Sequence, residues 1–103
     1  MTKIAILGAC GRMSGRVLKM AVDDKNISVV SAIDDPESKH IGSDVGEVQG
    51  IGNLNLTVTS ADDLESELLE KKPDFLVDFT TPDVSVKAAK VAAENGVGII
   101  VGT

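Results

Sequence analysis

The first fifteen residues constrain the fold of this chain more than any other stretch. Lys3-Ile4-Ala5-Ile6-Leu7 is a short apolar run. Gly8-Ala9-Cys10-Gly11-Arg12-Met13-Ser14-Gly15 follows at once, and Arg16-Val17-Leu18-Lys19-Met20-Ala21-Val22 then carries helical spacing. Strand, glycine turn and helix in that order bring a helix N-terminus to the end of a strand. The first backbone N–H groups of such a helix have no intrahelical partner, and the helix dipole adds partial positive charge. This suits a phosphate, and glycine keeps side chains out of its way. In the usual dinucleotide fingerprint the spacing is G-x-G-x-x-G. Here Gly8 and Gly11 form G-x-x-G, Cys10 stands at the middle glycine position, and Ser14 stands at the third, one before Gly15. A glycine cluster alone fits any strand-to-helix turn of an α/β protein. The dinucleotide reading also requires a flanking strand and helix and an acidic residue about twenty positions on.

The chain supplies all three. Met13, Val17, Met20 and Ala21 recur at helical spacing and are expected to form the inner face of the first helix. Asp23-Asp24-Lys25-Asn26 closes it, and the β-branched run Ile27-Ser28-Val29-Val30-Ser31-Ala32-Ile33 reads as a second strand. A βαβ crossover is right-handed almost without exception, so the two strands are parallel neighbours. Asp34 follows that strand, nineteen residues after Gly15, where a carboxylate accepts hydrogen bonds from an adenosine ribose. Asp35 sets a second carboxylate where the 2′-phosphate of NADP would lie, which favours NAD over NADP unless Lys39 or Arg12 offsets it.

From Glu37 to Asn55 the chain has Gly42, Gly46, Gly50 and Gly52 and no sustained period. It reads as a long loop, which inside a compact domain points to a functional or mobile segment. His40 within it reads as an ordinary loop histidine. Leu56-Thr57-Val58 is a brief third strand near a sheet edge. Ser60 or Asp62 can cap the second helix, and Asp62 with Glu65 has capping-box spacing. Leu64, Leu68 and Leu69 are expected to face the core, with Pro73 as the stop. Asp74-Phe75-Leu76-Val77-Asp78-Phe79 is the fourth strand, and Thr81 and Pro82 open a third helix at its cap and first position. That helix runs from about Val84 to Asn95, buries Ala88, Val91 and Ala92, and ends at Gly96. Val97-Gly98-Ile99-Ile100-Val101 is the fifth strand, with Gly102 and Thr103 at its carboxyl end. The pattern predicts a Rossmann-like doubly wound α/β fold, five parallel strands in order 3-2-1-4-5 with helices on both faces. Ligands of such sheets bind outside the carboxyl ends of the strands, where the order reverses. Phe79 there is either a wall for a nicotinamide ring or a core aromatic.

Composition removes other classes. At 103 residues the chain is one small domain, residues 1–103. A net charge of -6 and only two aromatic residues, Phe75 and Phe79, argue against nucleic acid or an anionic membrane as partner. No apolar run approaches a membrane span, and no signal peptide is evident, so a cytoplasmic protein is expected. The single cysteine, Cys10, cannot form an internal disulfide and suits a reducing compartment. No spacing suggests a metal site.

Gly8-Ala9-Cys10-Gly11-Arg12-Met13, Gly42-Ser43-Asp44-Val45-Gly46-Glu47, Val77-Asp78-Phe79-Thr80-Thr81-Pro82 and Val101-Gly102-Thr103 together resemble the N-terminal domain of the dihydrodipicolinate reductase family, over the whole chain. The resemblance implies binding of NADH or NADPH. It assigns the pyrophosphate and adenosine side to Gly8, Ala9, Cys10, Gly11, Arg12 and Met13, the ribose to Asp34, and the nicotinamide side to Phe79, Thr80, Gly102 and Thr103. It implies a reductase that passes hydride to 4-hydroxy-tetrahydrodipicolinate, a cyclic dicarboxylate, in lysine and diaminopimelate biosynthesis. Two departures stand out. Ser14 in place of the third glycine implies looser packing of helix on strand, and Asp35 stands where family members that use NADPH often carry a basic residue. The family's histidine-rich catalytic motif with its lysine, and the sheet that builds its tetramer, have no counterpart here. The expectation is therefore a part of the enzyme that binds cofactor, NADH before NADPH, without turnover, and that is a monomer or weak dimer while the whole enzyme is a homotetramer. A short-chain dehydrogenase would need a tyrosine, and the chain has none. The remaining alternative is a stand-alone dinucleotide- or CoA-binding sensor; Cys10, near a helix N-terminus, reads first as a small residue in a tight turn and second as a redox-active thiol.

Overall fold

The computed structural model describes residues 1–102. Its elements alternate as the pattern requires: β1 (Thr2–Leu7), α1 (Arg12–Val22), β2 (Ile27–Asp34), α2 (Val45–Val48), β3 (Val58–Ser60), α3 (Leu64–Lys71), β4 (Phe75–Asp78), α4 (Pro82–Glu94) and β5 (Gly98–Val101). All strand pairs are parallel and the order is β3-β2-β1-β4-β5, so it reverses between β1 and β4. The turn after β1 and the end of β4 therefore open onto the same crevice.

The sheet is buried on both faces, and strand alternation sorts its residues into two cores. Ala5, Leu7, Ile33 and Leu76 point to one face, where Leu64 and Leu68 of α3 and Ala88 and Ala92 of α4 cover them. Ile4, Ile6, Ala32 and Val77 point to the other, covered by Leu18 of α1 and Val45 of α2. Each fully buried Leu or Ile contributes about 1.5–3 kcal/mol relative to exposure. Alanine at 88 and 92 lets α4 lie close to the sheet.

Two expected helix faces and two expected caps are corrected. In α1 the buried positions are Ser14, Leu18 and Ala21, while Met13 and Met20 are 51% and 74% exposed. The helix is rotated because the Ser14 hydroxyl donates to the Gly8 carbonyl at 2.7 Å and tucks beneath the turn. Ser14 is wholly buried, so the packing that its replacement of glycine was expected to loosen is instead pinned. In α3 Leu64 and Leu68 are buried but Leu69 is 57% exposed. The approach to α3 is a 3₁₀ turn at Ala61–Asp63, capped by Ser60, and no Asp62–Glu65 capping box forms. Thr81 occupies the N-cap of α4 without a side-chain cap bond, and Pro82 starts the helix.

The segment from Glu37 to Asn55 is not structureless. It contains α2, whose N-cap Asp44 accepts from the Leu56, Leu54 and Glu47 amides at 2.7, 2.9 and 3.0 Å. These amides, Leu56 and Leu54 foremost, hold the Asp44 carboxyl below the ordinary aspartate range. Thr57 pairs with Asp44 in an isolated antiparallel bridge, so the third strand begins at Val58.

Candidate functional site

A hollow of about 590 Å³ lies over the carboxyl ends of β1, β2 and β4. Gly8, Cys10 and Gly11 line it from the turn, Asp34 and Asp35 from the end of β2, and Phe79 and Thr80 from the end of β4. These seven residues are far apart in sequence, and the order reversal between β1 and β4 brings them together.

The turn is built by backbone. The Gly8 and Ala9 amides donate to the Ile33 carbonyl at 2.8 and 3.0 Å, which ties the turn to β2. Gly8 has φ +81°, a conformation that side chains rarely adopt, and a Cβ there would lie 3.1 Å from the Phe79 carbonyl. Glycine therefore lets the ends of β1 and β4 close on each other. Gly11 is different. Its φ is -80°, and a Cβ would meet only the Gly8 carbonyl, at an ordinary 3.5 Å. Nothing among the described residues requires glycine there, and a Cβ would fill the space into which Gly11 opens. Gly11 is the N-cap of α1 and offers no side-chain acceptor. Among the described residues no backbone carbonyl accepts from the Arg12, Met13 or Ser14 amides. The turn thus presents unused donors beside an open cradle, the arrangement a pyrophosphate needs.

At the acidic end, Asp34 is half-buried and Asp35 exposed. Asp35 accepts from the Glu37 amide at 2.8 Å and so shapes the turn around Pro36. Burial, with a hydrogen bond to Asp34 and its charge, pushes the Cys10 thiol up to about 12. Burial and the carboxylate thus favour the protonated thiol, which counts against the redox-sensing role considered for it.

At the far end, Asp78 is fully buried, and one of its oxygens accepts from both the amide and the hydroxyl of Thr80. The other oxygen has no partner among the described residues. Thr80 is thereby fixed in place, facing the hollow. The Phe79 ring packs over Gly102, where any Cβ would collide with it, and also touches the core beneath α1. Both roles considered for Phe79, wall and core aromatic, are compatible with this position.

The other expected site residues stand elsewhere. Ala9 is buried beneath the turn. Arg12 lines a separate hollow with Arg16, Lys19 and Gln49, and Met13 is exposed, so only their backbone amides belong to the turn. Neither Arg12 nor Lys39 lines the hollow that holds Asp34 and Asp35. Thr103 lies outside the described residues. Sequence reading did not count Ser14, Asp78 or Gln49 among the site residues. Asp78 carried a signal, since an aspartate in an apolar strand needs an explanation; Ser14 was read only as a replaced glycine, and Gln49 carried no signal. Among the described residues no helix is long and apolar enough to cross a membrane.

A family model described as dihydrodipicolinate reductase, N-terminus, matches residues 2–103. The chain is 42% identical over 103 residues to 4-hydroxy-tetrahydrodipicolinate reductase of Methanocaldococcus jannaschii, covering 100% of this chain and 38% of that protein. It is 43% identical over 104 residues to the enzyme of the same name from Methanococcus aeolicus, with the same coverage. The chain thus spans 38% of the length of these curated relatives. Among solved structures, amine dehydrogenase from Mycobacterium smegmatis superposes with a TM-score of 0.80 at 27% identity, over 97% of this chain and 29% of that one. Dipicolinate-bound dihydrodipicolinate reductase from Paenisporosarcina sp. TG-14 superposes with a TM-score of 0.76 at 24% identity, over 100% of this chain and 37% of that one, and shows the shared fold.

Proposed function

The chain belongs to the dihydrodipicolinate reductase N-terminal family, and from that premise we propose that residues 1–103 form the dinucleotide-binding domain of a reductase acting on 4-hydroxy-tetrahydrodipicolinate. The observation that carries this reading is the pairing of an open glycine cradle and unused α1 amides with Asp34 across the same hollow. When bound, NADH or NADPH supplies the hydride. The Arg12, Met13 and Ser14 amides would donate to its pyrophosphate, with Gly8, Ala9, Cys10 and Gly11 forming the floor. Asp34 would accept from the adenosine ribose hydroxyls. Phe79, Thr80, Gly102 and Thr103 would bound the nicotinamide, with Thr80 held by Asp78. This chain orients the cofactor, and the acid and the cations that receive a dicarboxylate would come from the rest of the enzyme.

Asp34 and Asp35 favour NADH. A 2′-phosphate would face two carboxylates that neither Arg12 nor Lys39 neutralises within the hollow. The test is a calorimetric titration of this chain with NADH and then NADPH. Saturable binding, tighter for NADH and weakened about tenfold or more by Asp34→Ala, supports both assignments. Equal or tighter binding of NADPH removes the NADH preference. Failure to bind either, by a folded chain, removes the dinucleotide reading.

A further inference from the structure

We propose that Gln49 is a positioning residue for the dinucleotide, a strut from the α2 segment that sets the direction of the donors in the glycine turn; this rests on the dinucleotide reading above. The Gln49 side-chain amide donates to the Ala9 carbonyl at 2.7 Å and to the Gly11 carbonyl at 2.9 Å. Both of its hydrogens are spent on the turn, 40 and 38 residues back along the chain.

The consequence follows from peptide planarity. In a trans peptide the C=O and N–H point in opposite directions. The Ala9 carbonyl shares its plane with the Cys10 amide, and the Gly11 carbonyl shares its plane with the Arg12 amide. By holding the Ala9 carbonyl toward itself, Gln49 turns the Cys10 N–H away from itself; the Gly11 carbonyl also accepts from the Gly15 amide at 3.0 Å as the first bond of α1, so there the strut reinforces the direction that the helix gives the Arg12 N–H. Gln49 lines the hollow of Arg16 and Lys19, whereas Cys10 and Gly11 line the hollow with Asp34. The strut thus stands behind the turn and aims its donors toward the cofactor side.

Two features show that the strut is built in. Gln49 is delivered by a braced segment: Asp44 gathers three amides, Val45 is in the core, and a Cβ at Gly46 would collide with the Gly52 carbonyl. The Gly42-to-Glu47 motif thereby acquires a physical role, as the bracket that carries Gln49. On the receiving side, Gly15 lies inside α1, where alanine is the better helix former. The three atoms nearest a Cβ at Gly15 all belong to Gln49, and its Oε1 would collide. Gly15 makes room for the strut.

The test is a double-substitution cycle in this chain, read by NADH calorimetry, thermal melting and the amide chemical shifts of Cys10 and Arg12. Gln49→Glu keeps the shape but replaces two donors with charge that both carbonyls repel, and should weaken NADH about tenfold or more. Gln49→Ala should weaken it less, because no repulsion is added, and should shift the Cys10 amide resonance, whose peptide carbonyl loses its donor. Gly15→Ala should weaken NADH in the parent but cost nothing more in Gln49→Ala, since no side chain is left to displace. Gln49 variants that bind NADH like the parent overturn the proposal. So do additive effects, or an affinity loss that vanishes once corrected for the folded fraction. A folded parent that binds no dinucleotide overturns the functional reading itself, and is thereby told apart from a parent that binds and a strut that does not matter.

Discussion

Single atoms decide the character of the site. Cys10 occupies the position of the fingerprint's middle glycine, with its sulfur among Asp34, Ser38 and the turn. Burial and the neighbouring carboxylate both oppose a thiolate, so its pKa rises from the ordinary 9.0 to about 12. The sign gives a direct expectation. Through neutral pH the group stays a neutral thiol, with a thiolate fraction well below that of a free cysteine. Alkylation by iodoacetamide at mildly alkaline pH should be about tenfold or more slower than for the unfolded chain. Rapid labelling of the folded chain would contradict the partial burial of the sulfur beside the Asp34 carboxylate. Sequence placed Cys10 correctly but could not give its reactivity. Proximity to a helix N-terminus lowers a thiol pKa, whereas burial and a carboxylate raise it, and only coordinates reveal which prevails.

At the scale of elements, the helices were legible in extent and less so in facing. Apolar spacing in α1 favoured Met13 and Met20, yet a polar atom chose the face, because Ser14 bonds the Gly8 carbonyl. In α3, Leu68 and Leu69 are adjacent and equally apolar, and no composition argument separates them. The structure puts Leu68 at 2% exposure against Ala88 and Ala92, and Leu69 at 57%. Leu68→Ala should cost about 2–5 kcal/mol through lost burial and a residual cavity. Leu69→Ala should stay within about 0.5 kcal/mol, as surface substitutions do. Urea denaturation of the two variants checks the pair, and a similar loss in both would mean that α3 is rotated from the position described. The α2 segment was the least legible element. Its four-residue helix has no period to detect, and its order comes from Asp44 reaching amides as far on as Leu56.

Over the whole molecule, topology was the most legible feature. Parallel strands joined by right-handed crossovers leave few arrangements, and the observed order β3-β2-β1-β4-β5 is the one that the strand-helix alternation predicts. The site inherits its position from that order, which is why residues as distant as Gly8, Asp34 and Thr80 could be grouped before any coordinates. Gln49 could not be grouped with them, since its contact with the turn depends on how a glycine-rich segment folds back over α1. Charge is the remaining property of the whole. The chain carries -6, and Asp34 and Asp35 concentrate part of it in the hollow, so discrimination against the extra phosphate of NADPH is proposed to be Coulombic. Coulombic discrimination is screened by salt. From about 20 mM to about 500 mM salt the Debye length falls from roughly 20 Å to roughly 4 Å. The ratio of NADPH to NADH dissociation constants should then shrink severalfold in paired titrations, because repulsion at exposed Asp35 is lost while the contacts common to both cofactors weaken equally. A ratio that holds constant across that range would assign the discrimination to shape, with the 2′-phosphate lacking room beside Pro36, and Asp35→Ser would then leave it unchanged.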